Sequence, residues 1–232
     1  MAKFLAHMAQ AIGAAPGSLE GAYLPSRARC DAYATERAAV FAVLDTDTLL
    51  AHASDWKARP LAHLGTATKT TWYVVAPKGT LTSPADLAGK SIQSTAPGGA
   101  RFVANLVLDG AVPISALELV GTAKPLRALR KVARGQAAAA IVDQDAMAAL
   151  GELTLPVELV VVAKSRPLPG LTLASIEAGD AKAPEKLVQG IRKSLSTLCE
   201  GRGQKLCKTL GVQRFTATSD AWFEALRARY AR

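Results

Sequence analysis

The sequence predicts an α/β protein of two similar lobes joined by two crossing strands. Three observations carry this. The order of patterns is one α/β unit, a long β run, a second α/β unit, a second β run, and then helices alone. A chain reads this way when it leaves one lobe through one strand and returns through another. Residues 1–50 also align with residues 99–148 without a gap, at an offset of 98, with ten identities that include Phe4 with Phe102, Leu19-Glu20 with Leu117-Glu118 and Arg29 with Arg127. Finally, an Asp-x-Asp closes each stretch, Asp45 and Asp47 in the first and Asp143 and Asp145 in the second. The boundaries that follow are residues 1–73 and 165–232 for a discontinuous first lobe and 74–164 for the second.

In chain order, Phe4, Leu5, Met8 and Ile12 have helical spacing over residues 3–13, with Gly13 as the stop. Pro16-Gly17 is a turn. Residues 19–24 read as a short strand stopped by Pro25, 29–39 as a helix and 40–44 as a buried strand. A helix follows Asp45-Thr46-Asp47. Residues 66–76 are rich in Thr, Val and aromatics, long enough for a strand shared between lobes. Trp72 and Tyr73 on it are a hinge residue and a wall of the cleft between the lobes. Ser83 caps a one-turn helix that has Pro84 in first position. Then come a strand at 91–94, a loop at 95–99, a helix at 100–109, a strand at 117–121, a basic amphipathic helix at 125–134 and a strand at 138–142. The second β run is 157–163. Helices at 184–199, 203–210 and 219–230 close the chain.

The chain opens directly on a helix pattern, whereas the second unit carries a strand and a Gly-rich loop, residues 90–99, before its own helix. The matching piece of the first unit is expected before Met1, so the first strand of lobe 1 reads as missing.

Half of the 232 residues are hydrophobic but only 5% are aromatic, so the core is built from Ala, Leu and Val. The formal charge of +9 admits anionic ligands, acidic surfaces or nucleic acid. The Lys and Arg are scattered at helix spacing and never interleave with aromatics, which argues against nucleic acid. No apolar run reaches the length of a membrane span, and no signal-peptide pattern is present. The three histidines fall on separate elements, and no Cys/His spacing suggests a metal. Cys199 and Cys207 flank a turn that brings them within bridging range. They are either a disulfide of an oxidising compartment or two buried thiols. Cys30 is left over.

The candidate ligand site starts with Ser94 and Thr95 and runs through Gly98 and Gly99 into a helix start. Hydroxyls, free backbone N–H groups and the helix dipole suit an oxyanion there, the glycines admit close approach, and Arg101 adds charge. Thr122 and Lys124 end the next strand of the same lobe. The 98-residue shift carries Lys124 onto Ser26 and Thr122 onto Leu24, beside Tyr23, so Tyr23 and Ser26 are the first-lobe counterparts. Asp45, Thr46 and Asp143 follow strands, where the carboxylates accept from a ligand or cap the next helix. The Asp pairs lie in different lobes, with no nucleophile or cofactor loop beside them. No catalytic residue, cofactor or metal is therefore expected.

Four stretches resemble a known family. Residues 80–92, Thr-Leu-Thr-Ser-Pro-Ala-Asp-Leu-Ala-Gly-Lys-Ser-Ile, look like its opening of the second lobe. Val132-Ala133-Arg134-Gly135-Gln136 followed by Ala140-Ile141-Val142-Asp143 is similar to its Gly-then-strand pattern. Ala163-Lys164-Ser165-Arg166-Pro167-Leu168-Pro169 looks like its return strand, and residues 203–230 fit its closing helices. Together they resemble the type II periplasmic solute-binding fold, and within it the phosphonate/phosphate-type substrate-binding components of ABC importers. The chain departs at the second-lobe loop, Ser94-Thr95-Ala96-Pro97-Gly98-Gly99, which is less hydroxyl-rich than the family's. The resemblance implies a periplasmic or otherwise extracytoplasmic protein. It would capture a small anion in the interlobe cleft, pass it to an ABC permease, meet the membrane only through that permease, and catalyse nothing. A degenerate sensor or interaction domain, and an enzyme on the same fold, are the alternatives.

Overall fold

Among the described residues there are nine strands and nine α-helices, and the strands form two sheets, one in each compact unit. The structure, a computed structural model, describes residues 2–15, 17–24, 26–96, 98–179, 181–209 and 211–232, without the side chains of 66–68. Pro16, Pro25, Pro97 and Leu210, assigned above to a turn, a strand stop, the Gly-rich loop and a helix end, lie outside the described residues.

The elements in order are α1 (Ala2–Ala11), α2 (Arg27–Glu36), β1 (Phe41–Leu44), α3 (Thr46–Ala51), β2 (Arg59–Thr70), β3 (Trp72–Pro77), β4 (Ser91–Ser94), α4 (Ala100–Phe102), β5 (Glu118–Gly121), α5 (Pro125–Ala133), β6 (Ala139–Asp143), α6 (Gln144–Leu150), β7 (Leu159–Lys164), β8 (Leu168–Ser175), α7 (Glu185–Leu195), α8 (Gly203–Thr209), β9 (Arg214–Ala217) and α9 (Asp220–Tyr230). A 3₁₀ turn, Pro84–Leu87, precedes β4. The helix begun by α4 widens into a π turn, Val103–Val107.

Unit 1 comprises Met1–Thr68 and Pro169–Ala225, and unit 2 comprises Lys69–Leu168 and Leu226–Arg232. The expected first lobe took the whole tail, but its last seven residues group with unit 2. The cause is local. The buried Asn105 side chain donates to the Tyr230 carbonyl at 2.9 Å, and Asp109 gathers Arg229 at 3.4 Å and Arg232 at 3.7 Å.

The sheet of unit 2 has the order β5-β4-β6-β3-β7. Strands β5, β4 and β6 are parallel, β3 runs antiparallel to β6, and β7 runs antiparallel to β3. Both faces of β6 are covered, and its residues Ala139 to Val142 are fully buried, as a parallel strand requires. On one face Val75, Ala140 and Val142 pack against Ala128, Leu129 and Val132 of α5 and Ala146 of α6. The Ala-rich core is what permits this close helix–sheet approach.

The sheet of unit 1 has the order β1-β8-β2-β9. Met8, Leu61, Leu64, Leu173, Ile191, Leu195, Leu198 and Phe215 fill its core, under α1, α7 and α8. Cys199 and Cys207 are joined as a disulfide across the α7–α8 turn, with Cα atoms 5.5 Å apart.

The structure corrects three readings. The tail after the second β run is not helical alone, since β8 and β9 complete the first sheet. The 66–76 run is two strands broken at Thr71, one in each sheet, and β2 starts as early as Arg59. Residues 19–24 form no strand. Strand pairing needs a neighbour with free backbone groups, and among the described residues this stretch has none.

The 98-residue repeat survives element by element. Subtracting 98 carries Ala100–Phe102 into α1, Pro125–Ala133 onto residues 27–35 of α2, Ala139–Asp143 onto residues 41–45 around β1, and Gln144–Leu150 onto residues 46–52 around α3. Asp143 caps α6 by accepting the Ala146 N–H at 2.9 Å. Asp45 caps α3 by accepting the N–H of Thr48, the residue equivalent to Ala146, also at 2.9 Å.

Candidate functional site

The C-terminal ends of β4, β5 and β6 lie side by side in unit 2. Ser94 is in register with Gly121 on one side and Ile141 on the other. The residues that leave these ends, Thr95, Thr122 and Asp143, therefore share one rim, as do the α4 and α5 starts. That is where ligands gather in parallel α/β sheets.

The rim is stitched by its own backbone. The Thr95 N–H and hydroxyl both donate to the Ile141 carbonyl, at 2.9 and 3.0 Å. The Thr122 N–H donates to the Ser94 carbonyl at 2.9 Å. The Ser94 hydroxyl is buried and accepts the Ala96 N–H at 3.3 Å. Gly99 is the N-cap of α4 in ordinary extended backbone, and a Cβ there would meet nothing within 4 Å. Open space above the helix start, rather than a left-handed turn, is what this glycine supplies. A helix start leaves its first N–H groups without intrahelical partners and carries the positive end of the dipole.

Lys124 is exposed and stands at the N-cap of α5, its own N–H donating to the Thr122 hydroxyl at 3.3 Å. Pro125 follows, and the first turn of α5 has no acidic residue. Arg101 is exposed, with its guanidinium 5.9 Å from the centre of the Tyr230 ring, at the outer limit of a cation–π contact. The Asp143 carboxylate is engaged in capping α6.

In unit 1, Asp45 uses both oxygens on Thr48, the N–H at 2.9 Å and the hydroxyl at 2.9 Å. The Thr46 hydroxyl is buried and donates to the Pro169 carbonyl at 2.7 Å. Tyr23 is 82% exposed, and Ser26 is the exposed N-cap of α2 without a side-chain cap bond. Asp47, read as a capping or ligand carboxylate, is 3% exposed and paired with Arg27 at 3.1 Å. Tyr23, Ser26, Asp45 and Thr46 thus belong to unit 1, and Ser94, Thr95, Gly98, Gly99, Arg101, Thr122, Lys124 and Asp143 to unit 2.

Two polar locks were not singled out from the sequence. The Ser165 hydroxyl accepts the Trp72 N–H at 2.9 Å while the Ser165 N–H donates to the Trp72 carbonyl at 2.8 Å. Trp72 also stands opposite Asp143 in the ladder, so its buried side chain borders the rim. Tyr73 packs instead against the α5–α6 cluster. Gln93, buried in β4, takes a hydrogen bond from Lys131 at 3.2 Å. A hollow of about 420 Å³ lined by Thr80, Leu81, Lys90, Gly135 and Gln136 lies at the opposite ends of β4 and β6, away from the rim. Among the described residues no group of His, Cys, Asp and Glu is placed to hold a metal ion. No described helix is long and apolar enough to cross a membrane.

Two α/β units, one with a parallel-strand rim of hydroxyls, helix starts and cations, define the type II periplasmic binding-protein fold. Residues 27–223 match the family described as ABC transporter, phosphonate, periplasmic substrate-binding protein, and the chain belongs to that family, whose members are transporter binding proteins. Its solved relatives share the fold at low identity. Xanthomonas citri XAC2383, bound to ATP, superposes with a TM-score of 0.71 at 12% identity, over 99% of this chain and 89% of that one. The binding-protein component of an ABC phosphonate transporter from Pseudomonas aeruginosa, PA3383, gives 0.61 at 18% identity, over 97% and 78%. PhnD1 of Prochlorococcus marinus, in complex with methylphosphonate, gives 0.62 at 8% identity, over 97% and 89%. None of the curated proteins matches the chain.

Proposed function

We propose that this chain is the extracytoplasmic solute-binding component of an ABC importer, taking a small phosphate- or phosphonate-like anion between its two units and handing it to a permease. One observation carries the reading. Lys124 sits at a helix N-cap, where a cation opposes the dipole and Ser, Thr, Asp or Asn is preferred. At the equivalent position of the repeat, the N-cap of α2, stands Ser26. A locally unfavourable cation is best explained by what it binds, since rule-breaking residues concentrate at functional sites. Around it the Thr122 and Thr95 hydroxyls and the α4 start offer neutral donors and acceptors. Closure of the units on the anion is the signal the permease reads.

Catalysis is not part of the proposal. Both Asp45 and Asp143 are committed to caps, which leaves no free acid–base pair in the candidate set. The sensor or interaction-domain reading draws support from unit 1, where the Thr46 hydroxyl is buried on a backbone carbonyl.

The test is thermal denaturation of the full chain with phosphate, phosphite, methylphosphonate, ATP, a sulfonate and an amino acid. An anion at 100 times its Kd stabilises by about 2.7 kcal/mol. For a chain of this length that raises Tm by roughly 5–10 °C. A rise with a P–O anion supports importer chemistry. No rise with any of them removes the capture reading and leaves the interaction domain.

A further inference from the structure

We propose that the outer face of α5 is a docking surface for a phosphate-bearing anionic bilayer, which it meets through a stripe of three arginines, Arg127, Arg130 and Arg134. This goes beyond the ligand reading and does not rest on it.

Spacings of three and four residues stack the arginines on one face of the helix. From residue 125 to residue 134 they are the exposed side chains, and no others are. Ala128, Leu129, Val132 and Ala133 are buried on the opposite face. No acidic residue stands between Glu118 and Asp143. Among the described residues none of the three arginines is in an ion pair. Lys131, on the flank of the stripe, is committed to Gln93 at 3.2 Å. The fold itself does not ask for such a face. Helix α2, the equivalent of α5 in the repeat, balances Arg27 and Arg29 with Asp31 and Glu36, and Arg27 is paired with both Asp31 and Asp47. The 98-residue shift carries Arg130 onto Ala32 and Arg134 onto Glu36. Like charges three and four residues apart work against a helix. The dipole welcomes cations in the last turn only, which leaves Arg127, in the first turn, without that support.

The occupant follows from the charge and from the residue type. An unbalanced row of cations is complementary to a partner that presents anions side by side. All three are arginines, whose forked guanidinium takes phosphate oxygens two at a time. The stripe has no exposed apolar side chain, so it suits adsorption onto headgroups and not insertion among acyl chains. Past Arg134 the next two residues, Gly135 and Gln136, line the hollow of about 420 Å³ together with the exposed Lys90. The stripe thus ends at a recess that holds a further cation, in the same unit.

The experiment is co-sedimentation of the full chain with vesicles of phosphatidylcholine, and of phosphatidylcholine with one third phosphatidylglycerol, at low salt and at about 1 M salt. The probe variant is Arg127→Gln/Arg130→Gln, which spares Lys124 at the candidate rim. The control, Arg192→Gln/Lys193→Gln, removes the same charge from an exposed basic pair of α7. Wild type and control are expected to bind the phosphatidylglycerol vesicles alone and to leave them in high salt. Each cation at an anionic surface is worth about fivefold in partition. The probe variant should therefore bind roughly 20- to 30-fold more weakly while melting no lower than wild type, and Arg134→Gln alone should lose about fivefold. Absence of wild-type binding at low salt overturns the proposal, as does an equal loss in probe and control. Stripe-dependent binding of soluble poly-glutamate in preference to vesicles also overturns it, and assigns α5 to an acidic protein surface.

Discussion

Replacing Lys124 with Ser should make the protein more stable and a poorer binder at once. The change gives α5 a hydroxyl at the N-cap, the residue type found at the equivalent position of α2, where Ser26 makes no side-chain cap bond. A Ser cap gains about 0.5–1 kcal/mol over a residue without a capping oxygen. Removing a cation from the first turn relieves a further ~0.3–1 kcal/mol of dipole opposition. The side chain is exposed, so the lower half of that sum, about 1 kcal/mol, is the expectation. At this chain length it appears as a Tm rise of roughly 2–4 °C. Loss of a charge-assisted bond to the anion costs about 1.5–3 kcal/mol, or roughly 10- to 100-fold in affinity. Thermal melts by circular dichroism give the first number. Titration calorimetry, with whichever P–O anion raises the wild-type Tm, gives the second. A variant that melts no higher and binds unchanged would sink the argument that Lys124 is held at a poor cap for the sake of a ligand. Lys78→Ser serves as a surface control, because Lys78 pairs with exposed Glu158 at 2.8 Å outside the candidate rim.

Asp143→Ala should cost about 1 kcal/mol as a lost cap, whereas Asp143→Asn, which still caps, should stay within a few tenths; urea melts decide between them. Reduction of the Cys199–Cys207 bond, which spans a separation of eight residues, should cost about 2.5 kcal/mol by loop-closure entropy, read as a lower Tm in reductant that a Cys199→Ser chain does not show. Gly203→Ala should destabilise by several kcal/mol in the same melts, since its Cβ would collide with the Leu198 carbonyl oxygen and approach His7 Nε2 at 2.6 Å. Asp86 is held below the ordinary aspartate value by the backbone N–H groups of Thr82 and Ser83 and the Thr82 hydroxyl. Its contribution is present above the ordinary value and lost as pH falls through the depressed one. A carboxyl NMR titration with a midpoint at or above the ordinary value would refute this.

What the sequence made legible was local and periodic. Helices α1, α5 and α7 announce themselves by apolar spacing, and β6 by an unbroken apolar run ending in a capping Asp. Strand β8 was hidden because Pro169 and Gly170 sit inside it, and β9 because it is four residues long and opens on Arg214. Residues 19–24 misled for the opposite reason. Their pattern is that of a strand, but a strand is a pairing, and among the described residues none pairs with them. In the candidate site, the loop after β4 and the Asp caps could be read from residue type. The locks Thr46 to Pro169 and Ser165 to Trp72 could not, since their partners are 123 and 93 residues apart. Nothing in the local sequence of a buried hydroxyl says which distant carbonyl or amide it will meet.

The repeat also separates scaffold from function without recourse to other sequences. Where two equivalent positions hold the same residue doing the same work, the residue belongs to the fold. Asp45 and Asp143 both end a strand and cap a helix through the same oxygen-to-amide bond, work that the fold itself asks of them. Where equivalents differ, the difference needs its own cause. Ile141 against Val43 differs in burial because a neighbouring strand is present in one unit only. Lys124 against Ser26 differs in charge at a position where the helix itself prefers the serine. The first contrast marks β1 as the end strand of its sheet and β6 as an inner one. The second marks the place where α5 gives up an ordinary cap, and an anion at the rim is the partner that would compensate both the lysine and the helix end it faces.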